Sequence, residues 1–256
     1  ADMEGLTVSG TPAPDLQSLA NWGTNTSLAV LEAGAATAGG GSSAGRRAML
    51  PLGRVANFNW DYLNANGQLL LHRALLWGMN AEGGMPPRNL LFVAASTTPT
   101  AQDQLRIDLI ESWGYSVNLI EDSDSQANFD TDMAAADVAY VSLEVSATSL
   151  GTKLVDTTIG VVSEHGDLID DFGLASGNPT AVTLSNASII DNTHYITDSF
   201  LLGDLTLVSA QQPFTYVNAG VAAGVQTLAD VFNKSALLVA DTGAELLGST
   251  PAPGRR

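Results

Sequence analysis

Serine, histidine and carboxylate side chains cluster at two places in this chain. Ser142, Glu144 and Ser146 follow the strand-like run of residues 137–142, and His165 follows a second such run in Ser163-Glu164-His165. A serine hydroxyl, an imidazole base and an orienting carboxylate can perform acyl transfer if the fold brings them together. Neither serine sits in a Gly-x-Ser-x-Gly elbow, so these residues read better as loop polar groups that cap helices. His194 lies in a turn-rich segment and is expected to act as a structural hydrogen-bond donor. His72, beside Arg73 on a helix, is expected at the surface. The chain has no cysteine, which excludes thiolate nucleophiles, thiolate metal sites and disulfides. The acidic clusters Glu121-Asp122-Ser123-Asp124 and residues 167–171 offer oxygen ligands of the kind calcium takes. Neither has the glycine and terminal glutamate of a helix-loop-helix calcium loop, so both read as solvated loops, with Ser125 or Asp124 capping the helix that follows. The run Gly39-Gly40-Gly41-Ser42-Ser43 lacks the lysine of a phosphate loop and reads as a hairpin tip. No residue is therefore assigned a catalytic, cofactor-binding or metal-binding role, and no cofactor is implied.

The elements that would position these residues follow from apolar periodicity. Residues 89–95 form a continuous apolar run, as a strand buried on both faces does. Residues 100–113 read as a helix with Leu105, Leu109, Ile110 and Trp113 on its inner face, stopped by Gly114. Strands are predicted at 115–120, 137–142 and 158–162, with a helix at 125–136 carrying Phe129 and Met133 and a short crossover helix at 149–155. Four strand–helix alternations predict an α/β fold with a doubly wound, mostly parallel sheet. Beyond Gly166 the pattern changes. Residues 181–190, 206–209, 214–217 and 236–240 are strand-like between turns, which predicts an added antiparallel or mixed β portion. Near the beginning, a strand is predicted at 47–52 and a helix at 66–79, with Leu70, Ala74 and Trp77 on one face.

The chain also resembles itself. Residues 27–35, SLAVLEAGA, match residues 236–244, ALLVADTGA, and each stretch leads to Gly-Arg-Arg, at 45–47 and at 254–256; both matches are 209 residues apart. Leu6-Thr7-Val8 resembles Leu205-Thr206-Leu207 at a spacing of 199. The repeat predicts that residues 1–82 are the C-terminal part of one module, 83–88 a Gly-Gly-Met-Pro-Pro linker, and 89–256 the N-terminal part of the next. Two arrangements are open to the strand and helix at 48–82. They can fold back on residues 89–256, or they can complete the module before them while another copy supplies the equivalent segment. The linker favours the second arrangement, which joins copies head to tail.

Composition narrows the partners. A hydrophobic content of 45% supports a packed core. With 27 acidic against 10 basic residues and a net charge of −17, a phosphate backbone would be repelled, so nucleic acid is not an expected partner. No apolar run approaches the roughly 20 residues that span a bilayer. Ala1-Asp2-Met3-Glu4 has no basic stretch leading into an apolar core, so the start reads as a processed terminus or an arbitrary cut.

The strand at 89–93, the Trp113-Gly114-Tyr115 helix end and the strand at 137–142 resemble the class I glutamine amidotransferase-like fold, a flavodoxin-like arrangement. The ThuA-like (trehalose utilisation) branch is the nearest likeness. Ile190-Asp191-Asn192-Thr193-His194-Tyr195-Ile196-Thr197 is similar to its His-Pro-Ile-Thr segment, with Tyr195 in place of proline. Residues 45–53 with 69–78 are similar to its closing strand and helix, in permuted order. Catalytic members of the wider fold use a cysteine nucleophile, and this chain has none. The resemblance thus implies a degenerate, non-catalytic module. Repetition and an acidic, cysteine-free composition point to an extracellular or cell-surface structural role in a filament, sheath, surface layer or adhesive stalk. Its expected partners are copies of itself or adjacent repeats, with calcium the cation its acidic clusters would suit. A sugar-binding surface module and a serine-dependent hydrolase are the alternatives.

Overall fold

The structure, a computed structural model, describes residues 60–79 and 89–256 together with three strands, Gln17–Trp22 (β1), Asn25–Val30 (β2) and Arg46–Met49 (β3). Helix Ala65–Gly78 (α1) precedes an alternating run: Asn89–Ala94 (β4), Ala101–Ser112 (α2), Ser116–Glu121 (β5), Gln126–Ala135 (α3), Val138–Val141 (β6), Ala147–Leu150 (α4) and Gly160–Ser163 (β7). Strands β4 to β7 are mutually parallel in the order β5-β4-β6-β7, and β3 joins β7 in parallel. Alternate residues of β4 face opposite layers. Leu90, Phe92 and Ala94 pack with Leu70 and Leu71 of α1 and Ile107 and Ile110 of α2. Leu91 and Val93 pack with Phe129 of α3 and Leu150 of α4. The apolar run at β4 is continuous because both of its faces are covered. This is the doubly wound α/β sheet expected from the alternation.

The remaining strands, Pro179–Leu184 (β8), Asn186–Ile189 (β9), Gly203–Thr206 (β10), Gln212–Val217 (β11), Gln226–Val231 (β12) and Lys234–Asp241 (β13), pair antiparallel and extend the same sheet through β13, which lies against β3. The single strand predicted at 181–190 is two strands, broken at Ser185, whose carbonyl accepts from Leu207 N–H at 2.9 Å. Strand β12 was not visible as an apolar pattern because Gln226, Thr227 and Asp230 interrupt it. It is joined to β13 by Phe232 and Asn233, both at positive φ (55° and 58°), as a two-residue hairpin turn of the primed kind requires. The crossover helix predicted at 149–155 begins two residues earlier and ends before Gly151, whose φ of 53° stops it.

The hairpins β1–β2 and β12–β13 have the same register. Gln17↔Val30, Ser18↔Ala29, Ala20↔Leu28, Asn21↔Thr26 and Trp22↔Asn25 correspond, 209 residues on, to Gln226↔Val239, Thr227↔Leu238, Ala229↔Leu237, Asp230↔Ser235 and Val231↔Lys234. The irregularity in the pairing falls at the same place in both. The correspondence read from the sequence at 27–35 thus extends back to residue 17 in the geometry.

β3 lies between β13 and β7, and α1 packs on β3, β7 and β10 of the same chain. The predicted linker at 83–88, the Gly39–Ser43 tip and residues 6–8 lie outside the described residues.

Helix α2 departs most from expectation. Thr100 caps it, its hydroxyl accepting from Asp103 N–H at 3.0 Å, and Gly114 closes it at a φ of 90°. Its buried residues, however, are Asp103, Arg106, Ile107 and Ile110, whereas Leu105 is exposed. The inner face runs i, i+3, i+4, i+7 but carries an ion pair, so reading apolar residues alone rotated the helix. His72 is not at the surface either. It is half-buried, stacks on Trp113 with ring centroids 4.3 Å apart, and burial lowers its pKa.

Candidate functional site

In a sheet ordered β5-β4-β6-β7, the chain leaves β4 and β6 in opposite directions. The crevice at their carboxyl ends is where such folds bind ligands. Here that position is occupied by side chains. Arg106, from α2, is wholly buried, and its Nε donates to Glu164 Oε2 at 3.1 Å. Its Nη1 lies 3.4 Å from Asp103 Oδ1. Tyr140, on β6, donates its hydroxyl to Glu164 Oε1, and the Ser142 hydroxyl donates to Asp103 Oδ1. Ser142 Oγ in turn accepts from Glu144 N–H at 3.1 Å. Trp60, in the 3-10 turn Trp60–Tyr62, places its ring 4.8 Å from the Arg106 guanidinium, and its backbone N–H donates to Gln102 Oε1 at 2.7 Å.

Two buried carboxylates share one guanidinium, and this imbalance sets the electrostatics. Burial raises the Glu164 pKa, and the guanidinium of Arg106 and the hydroxyl of Tyr140 only partly oppose it. Burial likewise raises Asp103, against the Ser142 hydrogen bond and the charge of Arg106. Glu144 is also raised, by burial and then by the charge of Asp103. For Arg106, burial favours the neutral form, but Glu164, Tyr140 and Asp103 more than offset it, so the guanidinium is held charged. Tyr140 is pushed well up by burial and by Glu164, and so remains a phenol donor.

The residues singled out from the sequence thus divide. Ser142 and Glu144 join this cluster. His165 lies beside it, buried, with its backbone N–H donating to Ser163 Oγ at 3.1 Å. The triad is not assembled: the Ser142 hydroxyl is engaged by Asp103 and Glu144 rather than by imidazole. Ser146 caps α4, accepting from Ser149 N–H at 3.3 Å, while its own N–H donates to Asp122 Oδ2 at 2.6 Å. Ser125 caps α3. The carboxylate of Asp124 accepts from the N–H of Ser125 and the amide of Asn128, so the 121–124 cluster serves as helix-capping structure. Among the described residues no group of three or more potential metal ligands converges. His194 Nδ1 accepts from Ile196 N–H at 3.2 Å. Its turn is held by Arg73 of α1, which donates to the Tyr195 carbonyl and pairs with Asp198.

Sequence reasoning missed Asp103, Arg106, Tyr140 and Glu164. Asp103 and Arg106 were legible as a charged i, i+3 pair in line with Ile107 and Ile110. Chemically, the arrangement is a brace. The wholly buried Ser142 donates to a carboxylate, and the ion pair ties α2 to the ends of β6 and β7. A cavity of about 360 Å³ lies elsewhere, against β9, β10 and β12, with Asn186, Ser188, Asp204, Asp230 and Phe232 in its wall.

No family model matches the chain, and no curated protein matches it. Among solved structures it is similar to the crystal structure of a candidate peptidase E protein from Listeria monocytogenes EGD-e, at 12% identity and a TM-score of 0.33 over 48% of this chain. The match spans 59% of that protein's structure, so the chain covers little more than half its length.

Proposed function

We propose that the chain is a non-catalytic structural module of an extracellular assembly (a filament, sheath, surface layer or adhesive stalk) built on a degenerate ThuA-like fold whose copies join head to tail. One observation carries this reading. At the switch point of the sheet, where an enzyme of this architecture keeps an accessible nucleophile, Arg106, Glu164, Tyr140, Asp103 and Ser142 are buried and bonded to one another. The sheet's most favourable position for chemistry is used for internal cohesion. The acidic, cysteine-free composition suits a secreted, highly soluble polymer subunit. A fluorophosphonate probe tests the reading: it should leave Ser142 unmodified in the native protein. A covalent adduct on Ser142, lost in Ser142→Ala, would replace it with a serine hydrolase.

The cavity near Phe232 favours ligand binding as the second reading. Asp204 and Asp230 supply acceptors for sugar hydroxyls, and Phe232, 62% exposed, offers an apolar face. Calorimetric titration with a panel of oligosaccharides separates the two readings. Saturable binding abolished by Asp230→Asn would favour the binding module.

A further inference from the structure

Three adjacent strands at the outer end of the sheet, β10, β9 and β12, bring two carboxylates to one cavity. Asp204 stands opposite Ser188 in the β10–β9 pairing, and Asp230 stands opposite the same Ser188 in the β12–β9 pairing. Residues directly opposite one another share a face of the sheet. Ala187 and Ile189 point into the core, so Asn186 and Ser188 lie on the other face, together with Asp204 and Asp230. The two aspartates are two strand spacings apart, about 10 Å between Cα atoms, with Ser188 between them. All four residues wall the cavity of about 360 Å³, and Phe232 and Asn233 of the hairpin tip join them.

The charge of this cavity is unbalanced. Neither Asp204 nor Asp230 is ion-paired or hydrogen-bonded among the described residues, and no described lysine or arginine is in the cavity wall. Acids with a structural task are engaged: Asp124 by Ser125 and Asn128, Asp191 by Thr193 and Gln226, Asp198 by Arg73. The repeat indicates that the hairpin itself requires neither the charge nor the ring. In hairpin β1–β2, which holds the same register, Asn21 stands where β12 carries Asp230, and Gly23 stands where the second hairpin has Phe232. Glycine takes a positive φ without strain, whereas Phe232 holds a φ of 55° with its side chain 62% exposed. An acid and a solvent-facing aromatic ring thus replace an amide and a glycine where the hairpin borders the cavity.

We propose that this cavity binds an organic dication, an aliphatic diamine, with one ammonium on Asp204, the other on Asp230 and the ring of Phe232 against the cation nearer the hairpin tip. This goes beyond the structural role and rests on the second reading above, in which the cavity takes a ligand, but it assigns that ligand a charge. Each ammonium donates to a carboxylate at about 2.7–2.9 Å, as charged pairs do, and Asn186, Ser188 and Asn233 offer neutral acceptors for the remaining N–H groups. The face of the phenyl ring attracts a cation through its quadrupole. A neutral sugar would leave both carboxylates uncompensated. The net charge of −17 draws cations to the surface, and the paired aspartates give them a place to settle.

Isothermal titration calorimetry with putrescine, a four-carbon diamine, tests the site, with the diol of the same chain length as the uncharged probe. The diamine should bind saturably at one site per chain, the diol should not, and binding should weaken as sodium chloride is raised. Asp230→Asn and Phe232→Gly install the residues of the first hairpin, so the fold should tolerate both, which circular dichroism checks. Asp230→Asn should weaken binding about tenfold or more, and Phe232→Gly roughly threefold to thirtyfold. Glu111→Gln, which neutralises an exposed acid on α2, should leave it unchanged. Equal weakening in Glu111→Gln would mean diffuse attraction to an acidic surface and would overturn the proposal. Equal binding of the diol, or displacement of the diamine by equimolar calcium chloride, would overturn it too. If the diamine does not bind and an oligosaccharide does, with binding lost in Asp230→Asn, the second reading stands and this ligand falls. If neither binds, both fall and the structural function is untouched.

Discussion

Arg106→Met isolates the energetics of the buried brace. The guanidinium is wholly buried, contacts Glu164 at 3.0 Å and Asp103 at 3.4 Å, and lies 4.8 Å from the Trp60 ring. Methionine keeps much of the volume but strands two buried carboxyl groups. Removing one partner of such a pair costs about 3–5 kcal/mol, and loss of the cation–π contact adds about 0.5–2 kcal/mol. Domains are stable by about 5–15 kcal/mol, so urea unfolding followed by circular dichroism should show a large fall in midpoint at pH 7.5. The loss should shrink on acidification. Glu164 and Asp103 already have raised folded pKa values, and removing the cation raises them further. The folded variant then binds more protons than the wild type and gains up to about 1.4 kcal/mol per pH unit for each extra proton as pH falls. A loss under about 1 kcal/mol at pH 7.5, or one unchanged at pH 5, would refute the reasoning.

The same carboxyl groups shape the wild type. Glu164, Asp103 and Glu144 have folded pKa values above their ordinary ones, so their contribution is complete below the unfolded value and lost as pH rises through the folded one. The melting temperature should therefore be higher near pH 5 than near pH 8, and Glu164→Gln should flatten that dependence. Thr100→Ala removes the hydroxyl that caps α2 and should cost about 1 kcal/mol in urea unfolding. Gly224→Ala places a Cβ 2.2 Å from the Glu245 backbone nitrogen, and should lower the melting temperature more than Thr100→Ala does.

The fold was legible where one physical signal dominated. The continuous apolar run at β4 and the alternation through β7 carried the doubly wound sheet, because strands covered on both faces contain little else. Ser125 and Gly114 marked helix ends through their own chemistry. Helix α2 was misread because its inner face carries Asp103 and Arg106, and a charge buried by pairing cannot be told from a solvated one until its partner, Glu164, 58 residues on, is in place. β12 was hidden for a related reason: Gln226 and Asp230 lie on a strand whose burial is partial. The repeat made that strand recoverable, since residues 17–22 and 226–231 hold the same register in their hairpins. Ser142 was singled out correctly as a residue at the crevice, but its partner proved to be Asp103 rather than His165.

Sedimentation velocity of the unmodified chain across a wide concentration range tests the central claim most directly. Head-to-tail joining of copies predicts a ladder of species whose mean mass keeps rising with concentration, without settling at a closed oligomer. A single species of monomer mass at every concentration, fully folded by circular dichroism, would contradict it.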